Sequence, residues 1–100
     1  MKKPGELNEE LAELLGWRMF GTGWLLPDME TFVSDFHEDL NDMQQVWKVI
    51  HQRSKWMEFC EVWTKDYCSE NENYGWSCGE WTYRFLLDLP GQVRAAIEVL

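Results

Sequence analysis

Trp56-Met57-Glu58-Phe59-Cys60-Glu61-Val62-Trp63-Thr64-Lys65 and, further on, Trp81-Thr82-Tyr83-Arg84-Phe85-Leu86-Leu87 hold much of the aromatic mass of the chain. In the second run Trp81, Tyr83, Phe85 and Leu87 alternate with Thr82, Arg84 and Leu86. A period of two predicts a strand with one buried face. The first run alternates less cleanly, because Glu61 shares a parity with Met57, Phe59 and Trp63. A bulge near Cys60 and Glu61, or an edge position, accommodates it. Paired antiparallel, the two runs are expected to form the wall on which the rest of the chain packs.

Outward from this pair, the remaining segments read in order. Residues 1–6 form a loose leader. Residues 7–16 predict a short helix with Asn8 as N-cap, Glu9 and Glu10 at the positive end of the dipole, and Gly16 as the stop. Leu7, Leu11, Leu14 and Leu15 make its apolar stripe. Trp17 to Phe20 and Trp24 to Leu26 predict a hairpin about Gly21-Thr22-Gly23, ended by Pro27. A helix over about Glu38 to Arg53 is marked by Leu40, Met43, Val46, Trp47 and Ile50 on one face. Residues 66–79 form a polar loop too long for a tight hairpin. Asp88-Leu89-Pro90-Gly91 ends the second strand and opens a last helix with Val93, Ala96, Ile97 and Leu100 inward. The order α-β-β-α-β-β-α predicts an α+β fold, an antiparallel sheet layered with helices in one domain over 1–100.

Composition narrows the function classes. Eighteen Asp and Glu against nine Lys and Arg give a net charge of −9. Such a chain repels phosphate backbones and anionic membrane surfaces, leaving a basic protein as the expected partner. Seven Trp, five Phe and three Tyr supply large buried areas for a small core. No apolar run approaches the ~20 residues of a membrane span, and the basic start lacks the apolar segment of a signal peptide. Three cysteines without an export signal predict reduced thiols and a cytoplasmic location.

Catalytic and metal signatures are weak. Cys60, Cys68, Cys78, His37 and His51 lack the close ligand pairs of a zinc site, and Gly21-Thr22-Gly23 lacks the length and the Lys of a phosphate loop. Neither an enzyme nor a bound cofactor is expected. Cys60 reads as a small buried thiol and His51 as a solvated helix end. Cys68 and Cys78 flank the long loop and read as free thiols, with an oxidised pair as the alternative.

The acids are the remaining signal. Residues 28–42 contain Asp28, Glu30, Asp35, Glu38, Asp39 and Asp42 and no Lys or Arg. Such a run is either a solvated face or a negative patch that occupies a basic groove. With Glu70, Glu72, Tyr74 and Trp76 of the long loop, these residues form the expected partner-binding set. The alternatives are a nucleotide-sequestering site, with Tyr67, Tyr74 and Trp76 stacking on a base and Lys65 or Arg84 holding phosphate, and a homo-oligomer, a dimer through its sheet, with a structural or accessory role.

Leu7-Asn8-x-x-Leu11-Ala12-Glu13-x-x-Gly16-Trp17, the step Leu25-Leu26-Pro27-Asp28, the entry Phe36-His37-Glu38-Asp39-Leu40 to a Trp-containing helix, and the closing Pro90-x-x-Val93-Arg94-Ala95-Ala96-Ile97-Glu98-x-Leu100 resemble the phage ABA sandwich domain. The likeness covers nearly the whole chain. It implies an α/β/α sandwich of phage origin, in the cytoplasm of an infected bacterium, and brings no functional residues with it. Small acidic phage proteins that disarm host nucleases, anti-CRISPR proteins among them, work as a class through negative surfaces. An inhibitor of a host defence or nucleic-acid-processing protein is therefore the expected function.

Overall fold

The computed structural model describes residues 2–67 and 78–100. It is a mixed α+β fold: α1 (Pro4–Leu15), β1 (Arg18–Phe20), β2 (Gly23–Leu25), β3 (Phe32–Val33), α2 (Leu40–Gln52), α3 (Trp56–Val62) running into a π-helical turn (Trp63–Tyr67), α4 (Cys78–Leu87) and α5 (Leu89–Val99). The three short strands form one antiparallel sheet in the order β1-β2-β3. Among the described residues, no helix is long and apolar enough to cross a membrane.

The two runs expected as paired long strands are helices, so neither the order α-β-β-α-β-β-α nor the α/β/α sandwich is what forms. The second run shows why. Trp81 and Phe85 stack with centroids 4.8 Å apart and ring planes 14° from parallel. Residues four apart lie roughly 13 Å apart along a strand but on one face of a helix. Tyr83 and Leu87, which alternation would bury, are each 66% exposed. In the first run Phe59 and Trp63 are buried four residues apart while Met57 is 73% exposed. Glu61 therefore needs no bulge, because it lies on the open side of α3. The β preference of Trp, Tyr, Phe and Thr is a packing preference worth about 1 kcal/mol, and tertiary packing overrides it here.

The aromatic wall exists, but helices build it. Phe85 lies at its centre, edge-on to Trp63 at 5.1 Å and to Phe59 at 5.7 Å, and stacked on Trp47 at 5.8 Å. Gln92, fully buried, accepts from the Trp47 indole N–H at 2.7 Å and donates to the Phe85 carbonyl at 2.6 Å. The π-helical turn sits where the Thr64 hydroxyl donates to the Cys60 carbonyl at 2.8 Å, a back-bond of the kind that perturbs helical hydrogen bonding. Cys60 is mid-helix, half-buried and free, and burial pushes its thiol pKa up.

The other half of the core holds the sheet and α1, which packs on α5. Helix α1 ends at Gly16 (φ 74°), with Gly16 N–H bonded to the Glu13 carbonyl and Trp17 N–H to the Ala12 carbonyl. That is a Schellman closure, which requires a left-handed residue at this point. Leu11 and Leu15 are buried, and Phe36 fills the space against Trp17 and Trp24. The hairpin forms about the expected glycine turn, with Gly23 in β2 and a loop reduced to Gly21 and Thr22. Two boundaries differ. Helix α1 begins at Pro4, so Asn8 is an interior residue and not a cap. A third strand, Phe32–Val33, forms within the acidic segment 28–42, where no strand is expected.

Candidate protein-binding surface

Register fixes which side chains share the outer face of the sheet. Arg18 pairs with Leu25, Phe20 with Gly23, and Leu25 with Phe32, and cross-strand partners point the same way. Trp24 and Val33 take the inner face and are buried. The outer face therefore carries Arg18, Phe20, Leu25 and Phe32, with Arg18 exposed, Phe20 63% and Phe32 46% exposed. Gly23 makes this surface possible. A Cβ there would lie 2.3 Å from the Val33 carbonyl oxygen and 2.6 Å from the Phe32 ring, so the ring lies against bare backbone. Exposed aromatics grouped on a regular element are uncommon on a monomer's surface and mark contact sites.

Acids adjoin this face along the chain. The turn before β3 is held by Asp28, whose carboxylate accepts from Thr31 N–H and Glu30 N–H at 2.9 Å each and from the Thr31 hydroxyl at 2.7 Å. The Thr31 bonds are the main reason its carboxyl pKa lies below the usual value, with Glu30 N–H and the nearby Lys48 adding to them. Met29, exposed in the same turn, has φ 64°. A long side chain in the left-handed region is costly and persists where neighbouring bonds fix the backbone.

The second group surrounds the start of α2. Asp39 is its N-cap, accepting from Asn41 N–H at 2.9 Å and Asp42 N–H at 3.4 Å. Asp42 accepts from Ser34 N–H and Asp35 N–H at 2.9 and 3.1 Å. Asp35 accepts from His37 N–H at 2.9 Å and from the Asn8 side-chain amide at 3.2 Å. The Asn8 carbonyl oxygen lies 2.8 Å from His37 Nδ1, which places the proton on that nitrogen, and it also accepts from Phe36 N–H. Burial lowers the His37 pKa and Arg94 adds to this, while Asp35 and Glu38 oppose it. The imidazole is thus held neutral in a network that ties α1 to the entry of α2.

The six acids of 28–42 are therefore not equivalent. Asp28, Asp35, Asp39 and Asp42 organise backbone, whereas Glu30 and Glu38 are exposed and, among the described residues, their carboxylates accept no hydrogen bond. The sequence treats the acids as one segment and does not separate these tasks. It also misses Phe20 and Phe32 as surface residues: the hairpin of residues 17–26 bears on Phe20, whereas Phe32 is placed by its pairing with Leu25 in a strand that the sequence does not predict. Glu70, Glu72, Tyr74 and Trp76, and the Cys68–Cys78 pairing, lie outside the described residues.

Two further features bear on the alternatives. Trp17, Trp24 and Trp63 are buried, and Trp47, Trp56 and Trp81 pack against the same core, so these indoles are structural. Lys65 lines a groove of about 300 Å³ with Met57, Cys60, Thr64 and Trp81, and the Trp81 N–H donates to Thr64 Oγ1 at 3.1 Å. His51 is exposed and stacks on Trp56 at 4.2 Å. Among the described residues no three His, Cys, Asp or Glu side chains come together as a metal site.

Comparison with protein-family models, curated proteins and solved structures gives no match, so the likeness to the phage ABA sandwich domain is carried by the residues quoted for it alone.

Proposed function

We propose that this protein is a small acidic binding protein that docks on a basic surface of another protein through the outer face of its sheet and the acids of residues 28–42. One observation carries the reading: Phe20 and Phe32 lie exposed on a face whose third strand follows directly from the acidic turn bearing Asp28 and Glu30. Apolar anchors supply affinity at the centre of a contact, and charges at its rim steer encounter and choose partners. A net charge of −9 selects partners rich in Lys and Arg, which nucleic-acid-processing proteins are. Inhibition of such a protein in a host cell, as by anti-CRISPR proteins, and a phage source belong to this proposal and rest on charge and on the resemblance.

The test is capture of a partner by tagged protein at low and at high salt, with variants that leave the fold intact. Glu30→Lys with Glu38→Lys, and separately Phe20→Ser, change exposed side chains without structural bonds. Loss of the captured protein in both variants, and its release by salt, supports the proposal. Capture that survives both variants excludes this surface.

A further inference from the structure

A cleft of about 390 Å³ lies between the end of α1, the segment after β2, and the C-terminal half of α2. It falls within the size range of small-ligand sites. Its floor is apolar, from Trp17, Leu26 and Val49. Lys48 and Arg53 line it, in a chain whose cations are outnumbered two to one. Lys48 lies in α2 and Arg53 caps its end, and Gln45, Lys48, Val49, Gln52 and Arg53 recur at three- and four-residue steps along one face.

The partners of these groups define the chemistry. Asp28 is the acid of the cleft, and both its oxygens are already engaged by Thr31 and Glu30. Lys48 reaches Gln45 Oε1 at 3.5 Å and Arg53 reaches the Leu14 carbonyl at 3.4 Å, both long and exposed, so each cation keeps donors to spare. Trp17 is 6% exposed, and among the described residues no group accepts from its indole N–H. Among the described residues no buried side-chain nitrogen is without a partner, so that N–H reaches solvent at a residue that lines the cleft.

We propose that this cleft binds a small amphipathic monoanion, with its carboxylate, sulfonate or phosphate-ester group on Lys48 and Arg53 and its apolar body over Trp17, Leu26 and Val49. Two cations against Asp28 leave one net positive charge, which favours a single negative charge over a dianion. The cleft borders the acidic turn at Asp28 but is lined by none of Phe20, Leu25 and Phe32, and its reading does not depend on the proposed partner.

The test uses two fluorescent probes of similar shape on the full chain: 1-anilinonaphthalene-8-sulfonate, which is anionic, and N-phenyl-1-naphthylamine, which is neutral. The expected result is saturable one-to-one binding of the sulfonate, with the neutral probe at least about tenfold weaker, the scale of one charge-assisted hydrogen bond. Lys48→Gln with Arg53→Gln should weaken the sulfonate by a similar factor and leave the neutral probe unchanged. Phe20→Ser should alter neither. Equal affinity for the two probes, no saturable binding, or loss of binding in Phe20→Ser would overturn the proposal. Phosphate or acetate alone is expected to bind far more weakly than the sulfonate probe, and equal binding would remove the apolar subsite.

Discussion

The indole N–H of Trp63 donates to Asp88 Oδ2 at 2.9 Å, which joins the π-helical turn to the N-cap of α5. The other oxygen of the same carboxylate accepts from Gly91 N–H at 3.1 Å. One side chain thus starts a helix and satisfies a buried tryptophan. Asp88→Ala removes a cap and orphans an indole donor, and a loss of about 2–3 kcal/mol is expected in urea denaturation. Gly91→Ala should cost as much, because its Cβ would fall 2.1 Å from Asp88 Oδ2 and displace the cap.

Gln92→Leu keeps the volume of a fully buried side chain but leaves the Trp47 N–H unpaired, while the Phe85 carbonyl keeps the Asp88 N–H at 3.2 Å. A fall in stability of about 1–3 kcal/mol, the cost of one orphaned buried donor, is expected, whereas a neutral effect would mean that water replaces the lost bond.

The acids of 28–42 should separate in a stability scan. Asp39→Ala removes the α2 cap, and Asp42→Ala frees the Ser34 and Asp35 amides, with about 1 kcal/mol expected for each. Glu30→Gln and Glu38→Gln should stay within about 0.5 kcal/mol, as surface changes do. Thermal melts of the four variants decide it.

Stability should fall with pH below the ordinary histidine value. The His37 pKa is lowered in the fold, so as pH drops below 6.5 the unfolded chain takes up its proton before the folded one does. Stability is therefore full above 6.5 and declines as pH falls towards the folded value. Melting temperatures from pH 7.5 to 5.5 should show the decline, and His37→Gln should flatten it. A slope that is unchanged in the variant would assign it to other groups.

Met29→Gly relieves a left-handed backbone and should raise stability by about 0.5–1 kcal/mol. It also removes an exposed apolar side chain from the acidic turn, so a more stable protein that captures less partner is the expected outcome.

Much of the chain was legible from its residues. The Leu40, Met43 and Ile50 spacing placed α2, Gly16 placed the end of α1, and Pro90 placed the start of α5. The failure at 81–87 has a physical origin. Trp81, Tyr83, Phe85 and Leu87 satisfy a period of two, while Trp81 and Phe85 alone also satisfy a helix. Only the surrounding rings, Trp63, Trp47 and Phe59 closing on Phe85, decide between them, and that information is not local. The tasks of the acids were hidden for a similar reason. Asp35 finds Asn8 across 27 residues of chain, whereas Glu38 two positions earlier than Leu40 looks no different in sequence.

Gly23 and Phe32 have different fates under sequence drift. Any side chain at 23 would strike the Val33 carbonyl, so divergent copies of this chain must keep glycine there to keep the sheet at all. Phe32 carries no such obligation, since a serine or threonine would sit on the same bare backbone and dissolve more readily. If lineages that preserve the glycine also preserve the ring, selection is acting on what touches the ring. If the ring decays to polar residues while the glycine stands, the face is only the outside of a small sheet.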